Sequence, residues 1–117
     1  MLQRMIAAVM QAMRKCPQPV IAAAQGAACG GGFSLLLASD VRYASPDLKA
    51  NAAYIKIGLG GCDMGASYFL PRLVGAAKAR ELYFTADIIT GTEAAAIGLV
   101  NHAWPAAEFA AAAAAYA

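Results

Sequence analysis

The stretch that decides the reading is Pro19-Val20-Ile21-Ala22-Ala23-Ala24-Gln25-Gly26-Ala27-Ala28-Cys29-Gly30-Gly31-Gly32-Phe33-Ser34. Val20 to Ala24 is a short, uniformly apolar run, the pattern of a strand covered on both faces. Phe33 to Ala38 is apolar again and predicts a buried helix. Between them, Gly26 to Gly32 reads as a glycine-rich turn. Consecutive glycines cost chain entropy and help only where the backbone needs unusual dihedrals or a close approach. At a helix start the free N–H groups and the positive end of the dipole both face whatever occupies the turn. An anion, or an oxygen that becomes anionic during a reaction, is the matching guest.

Familiar glycine motifs do not fit this turn. A P-loop needs Lys and then Ser or Thr after its last glycine, and Phe33-Ser34 stands there. The G-x-G-x-x-G spacing of dinucleotide sites is absent, and Ser34 is followed by leucines rather than by the glycine of a nucleophile elbow. The plainer alternative is that the glycines only let strand and helix pack closely.

Outward from this centre, residues 2 to 15 suit a helix whose apolar face carries Met5, Ile6, Val9, Met10 and Met13, stopped by Pro17 and Pro19. Asp40 to Ala44 alternates as a strand, closed by Ser45-Pro46-Asp47. Leu48 to Ile57 predicts a strand running into a loop at Gly58 to Cys62. Two helical pieces follow, around Gly65 to Leu70 and Ala76 to Phe84, with Pro71 and Gly75 at the joint. Thr92 is the expected N-cap of a helix from Ala94 to Ile97, with Glu93 in its first turn. The alanine-rich tail from Ala106 predicts a fraying terminal helix. Strand, turn, helix, strand and then helices is an α/β order.

A chain of 117 residues fits one domain. Its 61% hydrophobic and 14% charged residues imply apolar surface covered by a further segment or a partner subunit. A net charge of +2 from scattered basic residues argues against nucleic acid. Cys16, Cys29 and Cys62 are odd in number without CxxC spacing, which fits a reducing cytoplasm. With the lone His102 they make no zinc set, so no metal is expected. Cys16 to Ser39 carries no charge and is long enough to span a bilayer, but its prolines and glycines preclude one continuous helix. No membrane association is expected.

Pro19-Val20-Ile21-Ala22-Ala23-Ala24-Gln25-Gly26, then Gly30-Gly31-Gly32, then Ser39-Asp40, closely resembles the crotonase (enoyl-CoA hydratase/isomerase) pattern. The resemblance continues at Lys56-Ile57-Gly58-Leu59, Asp63-Met64-Gly65-Ala66-Ser67, Pro71-Arg72-Leu73-Val74-Gly75, Ala79-Arg80-Glu81-Leu82 and Ile97-Gly98-Leu99-Val100. No one of these motifs is specific; their order from about residue 19 to 105 is. The resemblance implies an α/β fold with a crotonase-like ββα spiral core, residues 1–117 forming a partial domain without the N-terminal half and the C-terminal helices.

It further implies an acyl-CoA thioester as substrate, with coenzyme A part of that substrate and no separate cofactor. Gly31 would give one backbone N–H to the thioester oxygen, which becomes an enolate oxygen. Ala27 and Ala28 would lie along the acyl-CoA groove. The family's two hydratase glutamates fall on Ser34 and on Tyr54, or on Ile55 if counted from Asp63. None is a carboxylate, so Ser34 and Tyr54 remain as substrate-binding candidates. Asp63 stands where some relatives place a working aspartate, as a base with a raised pKa; its other reading is a helix cap. Discounted are Cys62 as an inert thiol, His102 as a surface residue and Trp104 as packing. A homo-oligomer, a trimer or dimer of trimers, follows from the resemblance for a full domain. The alternatives are a non-catalytic acyl-CoA-binding or assembly-forming remnant, and an Asp63-dependent dienoyl isomerisation or dehalogenation.

Overall fold

The computed structural model describes residues 1–61 and 63–117, with Asp63 described by its backbone only. Helix α1 (Leu2–Lys15) leads to strand β1 (Ile21–Ala24), strand β2 (Ala27–Cys29) and helix α2 (Gly31–Ala38). Strands β3 (Val41–Ala44) and β4 (Lys49–Asn51) follow, then a 3-10 helix over Ala53–Ile57 and a 3-10 turn over Asp63–Gly65. Helices α3 (Ala66–Val74), α4 (Ala76–Thr85) and α5 (Gly91–Ala96), strand β5 (His102–Ala103) and helix α6 (Ala106–Ala115) complete the order.

All named strand pairs are parallel. One sheet runs β1-β3-β5 and a second pairs β2 with β4, so consecutive strands alternate between two small sheets. That alternation is the spiral expected from the resemblance. Helix α2 fills the space beside both sheets, and Phe33, Leu36, Leu37 and Ala38 on it are buried with Leu48, Tyr54, Leu70, Leu82 and Leu99. Helix α2 is thus largely a core helix, as its apolar sequence implied, with Gly32 and Leu35 left exposed. Aliphatic and aromatic side chains of this size each gain about 1.5–3 kcal/mol from burial, which anchors the helix start that carries the glycines.

Several local expectations change. The glycine-rich segment is not all turn: Ala27–Cys29 is a strand because it finds β4, with Ala28 opposite Ala50. The strand expected over Leu48 to Ile57 stops at Asn51 and tightens into a 3-10 helix, closed by Gly58 in the left-handed region. Helix α3 runs through Pro71 and breaks at Gly75; the carbonyl that loses a donor belongs to Ser67, an exposed residue. Thr90, not Thr92, caps α5, with Thr90 Oγ accepting from the Glu93 N–H and the Glu93 carboxylate from the Thr90 N–H, a full capping box. The tail is not loose, since Phe109 and Ala113 of α6 are buried against Tyr43.

Arg42, mid-strand in β3, is buried, which the alternation did not indicate. Its guanidinium donates to the carbonyls of Leu99 at 2.8 Å and Ser39 at 2.5 Å. Burial first, and then the charge of Arg14, pull its pKa below the usual arginine range. Beside it, Asp40 pairs with Arg14 at 2.5 Å and accepts from the Val20 N–H at 2.9 Å. Among the described residues, no helix is long and apolar enough to cross a membrane.

Candidate active site

The site is built on Gly30, at the junction of β2 and α2. Its φ of 54° with ψ of −115° is a conformation that side chains do not tolerate, so glycine is required there. The Gly30 N–H donates to the Asn51 carbonyl at 3.2 Å, extending the β2–β4 pairing by one rung. Its carbonyl accepts from the Ser34 N–H at 3.0 Å, the first turn of α2, and from the Tyr54 hydroxyl at 3.1 Å. The chain thus leaves a strand and enters a helix with one residue fastened at both peptide groups.

Gly31 and Gly32 come next, as the first two residues of α2. Among the described residues, no hydrogen bond takes up the N–H of either one. They are the orphan donors of a helix start, sharpened by the dipole of a helix held in the core. A carbon added at Gly31 would lie 3.4 Å from the Met64 sulfur, so the Met64 side chain packs beside this residue. Met64 itself is held at φ 50°, in the left-handed region where few side chains sit.

Beyond Met64 opens a groove of about 440 Å³ between α1 and α3, lined by Ala7, Met10, Gln11, Met64, Tyr68 and Phe69, with Arg14 and Lys15 also on its wall. The size lies within the range of small-ligand sites, and the lining is mainly apolar. A shallower cleft of about 270 Å³ lies along β1, β2 and α2, where Ala28 and Gly32 take part. Ala27 is exposed on β2, and Ala28 is buried.

Ser34 and Tyr54, twenty residues apart, are both buried and share a hydrogen bond between their hydroxyls. Ile55 is 48% exposed and takes no part. Of the two positions open for the second carboxylate, Tyr54 is therefore the one that meets Ser34. The Tyr54 hydroxyl also donates to the Gly30 carbonyl, and either hydroxyl can be the donor in the Ser34–Tyr54 bond. At the two positions that the resemblance assigns to carboxylates, two hydroxyls bond each other, and that of Tyr54 also bonds the backbone. Nearby, Tyr83 donates to the Ala66 carbonyl at 2.6 Å, and its pKa is pushed up to about 12 by burial and then by Tyr54.

Among the described residues, the remaining candidates do not converge here. Cys62 and the Asp63 side chain lie outside the described residues, although the Asp63 backbone opens the turn that carries Met64. Helix α3 is capped by Gly65 with no side-chain bond. His102 is exposed and stacks on the Tyr43–Trp104 pair, at the β3–β5 edge. Cys16 and Cys29 are free and exposed, and among the described residues no three His, Cys, Asp or Glu side chains gather. The sequence reading missed the Tyr54 bond to Gly30 and the strained Met64, because neither contact leaves a local pattern.

Comparison with known proteins gives this arrangement a context. The family model described as enoyl-CoA hydratase/isomerase matches residues 1–117. A Mycobacterium tuberculosis protein named "Probable enoyl-CoA hydratase" is 44% identical over 93 residues, covering 80% of this chain and 33% of that protein. The mitochondrial methylglutaconyl-CoA hydratase of Rattus norvegicus is 41% identical over 99 residues, covering 83% of this chain and 30% of that one. A crystal structure of a Mycobacterium abscessus enoyl-CoA hydratase/isomerase superposes with a TM-score of 0.93 at 38% identity, over 97% of this chain and 43% of that one. The chain thus spans about a third of the length of the curated relatives it matches. With its parallel two-sheet spiral and its glycine-opened core helix, the chain belongs to the enoyl-CoA hydratase/isomerase family.

Proposed function

We propose that this chain binds an acyl-CoA thioester and stabilises its enolate at the start of α2, with the Gly31 N–H as an oxyanion donor. The observation that carries this reading is the pair of N–H groups on Gly31 and Gly32 that no described residue takes up, at the opening of a core helix beside an apolar groove. A thioester oxygen is weakly basic, and it gains negative charge when the neighbouring carbon loses a proton. Fixed donors reward that change without having to reorganise. The acyl chain then runs past Met64 into the α1–α3 groove, where each buried methylene contributes about 0.8 kcal/mol.

Addition of water is the reaction this site supports least. The Ser34–Tyr54 pair supplies no carboxylate to hold and activate a water molecule. Asp63 is the proposed base, through the resemblance, for removing or returning a proton at the carbon next to the thioester. The same pair of hydroxyls favours a second reading, a family member that holds acyl-CoA without turning it over.

Exchange of the α-hydrogens of butyryl-CoA with deuterated water, followed by mass spectrometry, separates the two. The enolate reading expects exchange that Asp63→Asn abolishes while butyryl-CoA binding survives. Binding without exchange supports the non-catalytic reading. Absence of any CoA-ester binding removes both.

A further inference from the structure

We infer that Tyr54 is a positioning residue that aims the Gly31 donor by fixing the peptide between Gly30 and Gly31. The inference rests on the oxyanion reading above. A planar trans peptide holds the carbonyl of one residue and the N–H of the next on opposite sides, and no cis bond is present among the described residues. Whatever fixes the Gly30 carbonyl therefore fixes the direction of the Gly31 N–H.

That restraint matters because the peptide lies between two glycines, for which rotation meets little steric resistance. Turned over, it would present a carbonyl oxygen in place of the donor and repel an enolate. The Ser34 N–H holds the Gly30 carbonyl at 3.0 Å, but this is the first bond of a helix. The Tyr54 hydroxyl adds a second bond at 3.1 Å from a side chain that is 2% exposed. Ser34 then holds the Tyr54 oxygen, and Asn51, three residues before Tyr54, holds the Gly30 N–H at 3.2 Å. One short segment thus fastens Gly30 at both ends. A hydroxyl donating into the carbonyl also polarises the peptide, which strengthens the Gly31 N–H as a donor.

The test is a pH titration of acetoacetyl-CoA bound to the full chain, read from the absorbance of its enolate. A well-aimed donor lowers the apparent pKa of the bound thioester relative to that in water. Tyr54→Phe keeps the ring and leaves the Ser34 N–H on the Gly30 carbonyl, so the fold is expected to survive. The apparent pKa should then rise by about one unit, about tenfold less enolate at a given pH. Affinity for butyryl-CoA, bound in its neutral form, should change less than twofold, an asymmetry that a loss of packing would not give. Ser34→Ala should shift the pKa the same way by less.

An unchanged pKa in Tyr54→Phe, with Gly31→Pro still raising it, overturns the role of Tyr54. If Gly31→Pro also leaves it unchanged, or no enolate forms, the oxyanion reading itself has failed. Should Tyr54→Phe not fold, Ser34→Ala carries the test, and an unshifted pKa there overturns the inference.

Discussion

Replacing Gly31 with proline removes its N–H and closes a ring of three added carbons onto that nitrogen. Gly31 is the first residue of α2, the position at which proline suits a helix because the missing hydrogen has no intrahelical partner. Of its three added carbons, the Cβ meets the Met64 sulfur at 3.4 Å, an ordinary contact with a flexible side chain. The fold should therefore hold, and the loss should appear only where the donor works. A hydrogen bond to a charged acceptor contributes about 1.5–3 kcal/mol. Gly31 is half-buried, which favours the lower end, about 1.5–2 kcal/mol, or about 10- to 30-fold in affinity for the enolate. Calorimetry with acetoacetyl-CoA at a pH where its enolate dominates, against butyryl-CoA as the neutral ligand, gives both numbers. Gly31→Ala is the control: it adds the same carbon and keeps the N–H, so it should bind enolate within about threefold of the parent, less than half the free energy assigned to the donor. The reasoning is refuted if proline leaves enolate affinity unchanged, or if alanine costs as much as proline.

Three further outcomes follow from the same structure. Gly91→Ala would put its new carbon 1.9 Å from the Ser45 carbonyl oxygen, so urea unfolding should show a loss of about 3 kcal/mol or more, or no folded protein. Thr90→Ala breaks the capping box of α5 and should cost about 1 kcal/mol in the same measurement, while Thr92→Ala should cost much less. The Val20 N–H is the largest influence and holds the Asp40 carboxylate below its ordinary pKa of 3.8; desolvation opposes it next, and Arg14 and then Arg42 add further lowering. Its stabilising effect is complete above pH 3.8 and lost as pH falls through the lower folded value. Asp40→Asn should flatten that acid limb in thermal melts; an unchanged limb would assign it to other groups.

Much of the fold was legible where the pattern was local. The apolar runs Val20–Ala24 and Phe33–Ala38 mark β1 and α2, but the strand is not covered on both faces as expected: Ala23 is exposed and the rest of β1 is half-buried, and Leu35 of α2 is exposed. The Thr90-Gly91-Thr92-Glu93 spacing contains the capping box, so the correct cap was available to a stricter application of the three-residue rule. Strand β2 was not legible, because Ala27–Cys29 has no strand signature until β4 lies beside it. The partnership of Ser34 with Tyr54 had the same cause, since no periodicity links residues on different elements. Arg42 looked like the polar face of an alternating strand, and its burial depends on carbonyls that the chain turns toward it, one of them at Leu99.

The parallel pairing has a consequence for how the chain comes together. No hairpin exists among the named strands, so every rung waits for a loop to close over intervening helix or turn. The β1–β3 rungs can form once Ala44 has been synthesised, whereas those joining β3 to β5 must wait until Ala103 has followed. Until then the β3 edge stands open and Tyr43 lacks the cover of Phe109. Slow closure of this late edge, rather than collapse of the leucine-rich centre, should set the folding rate and the window for misassembly.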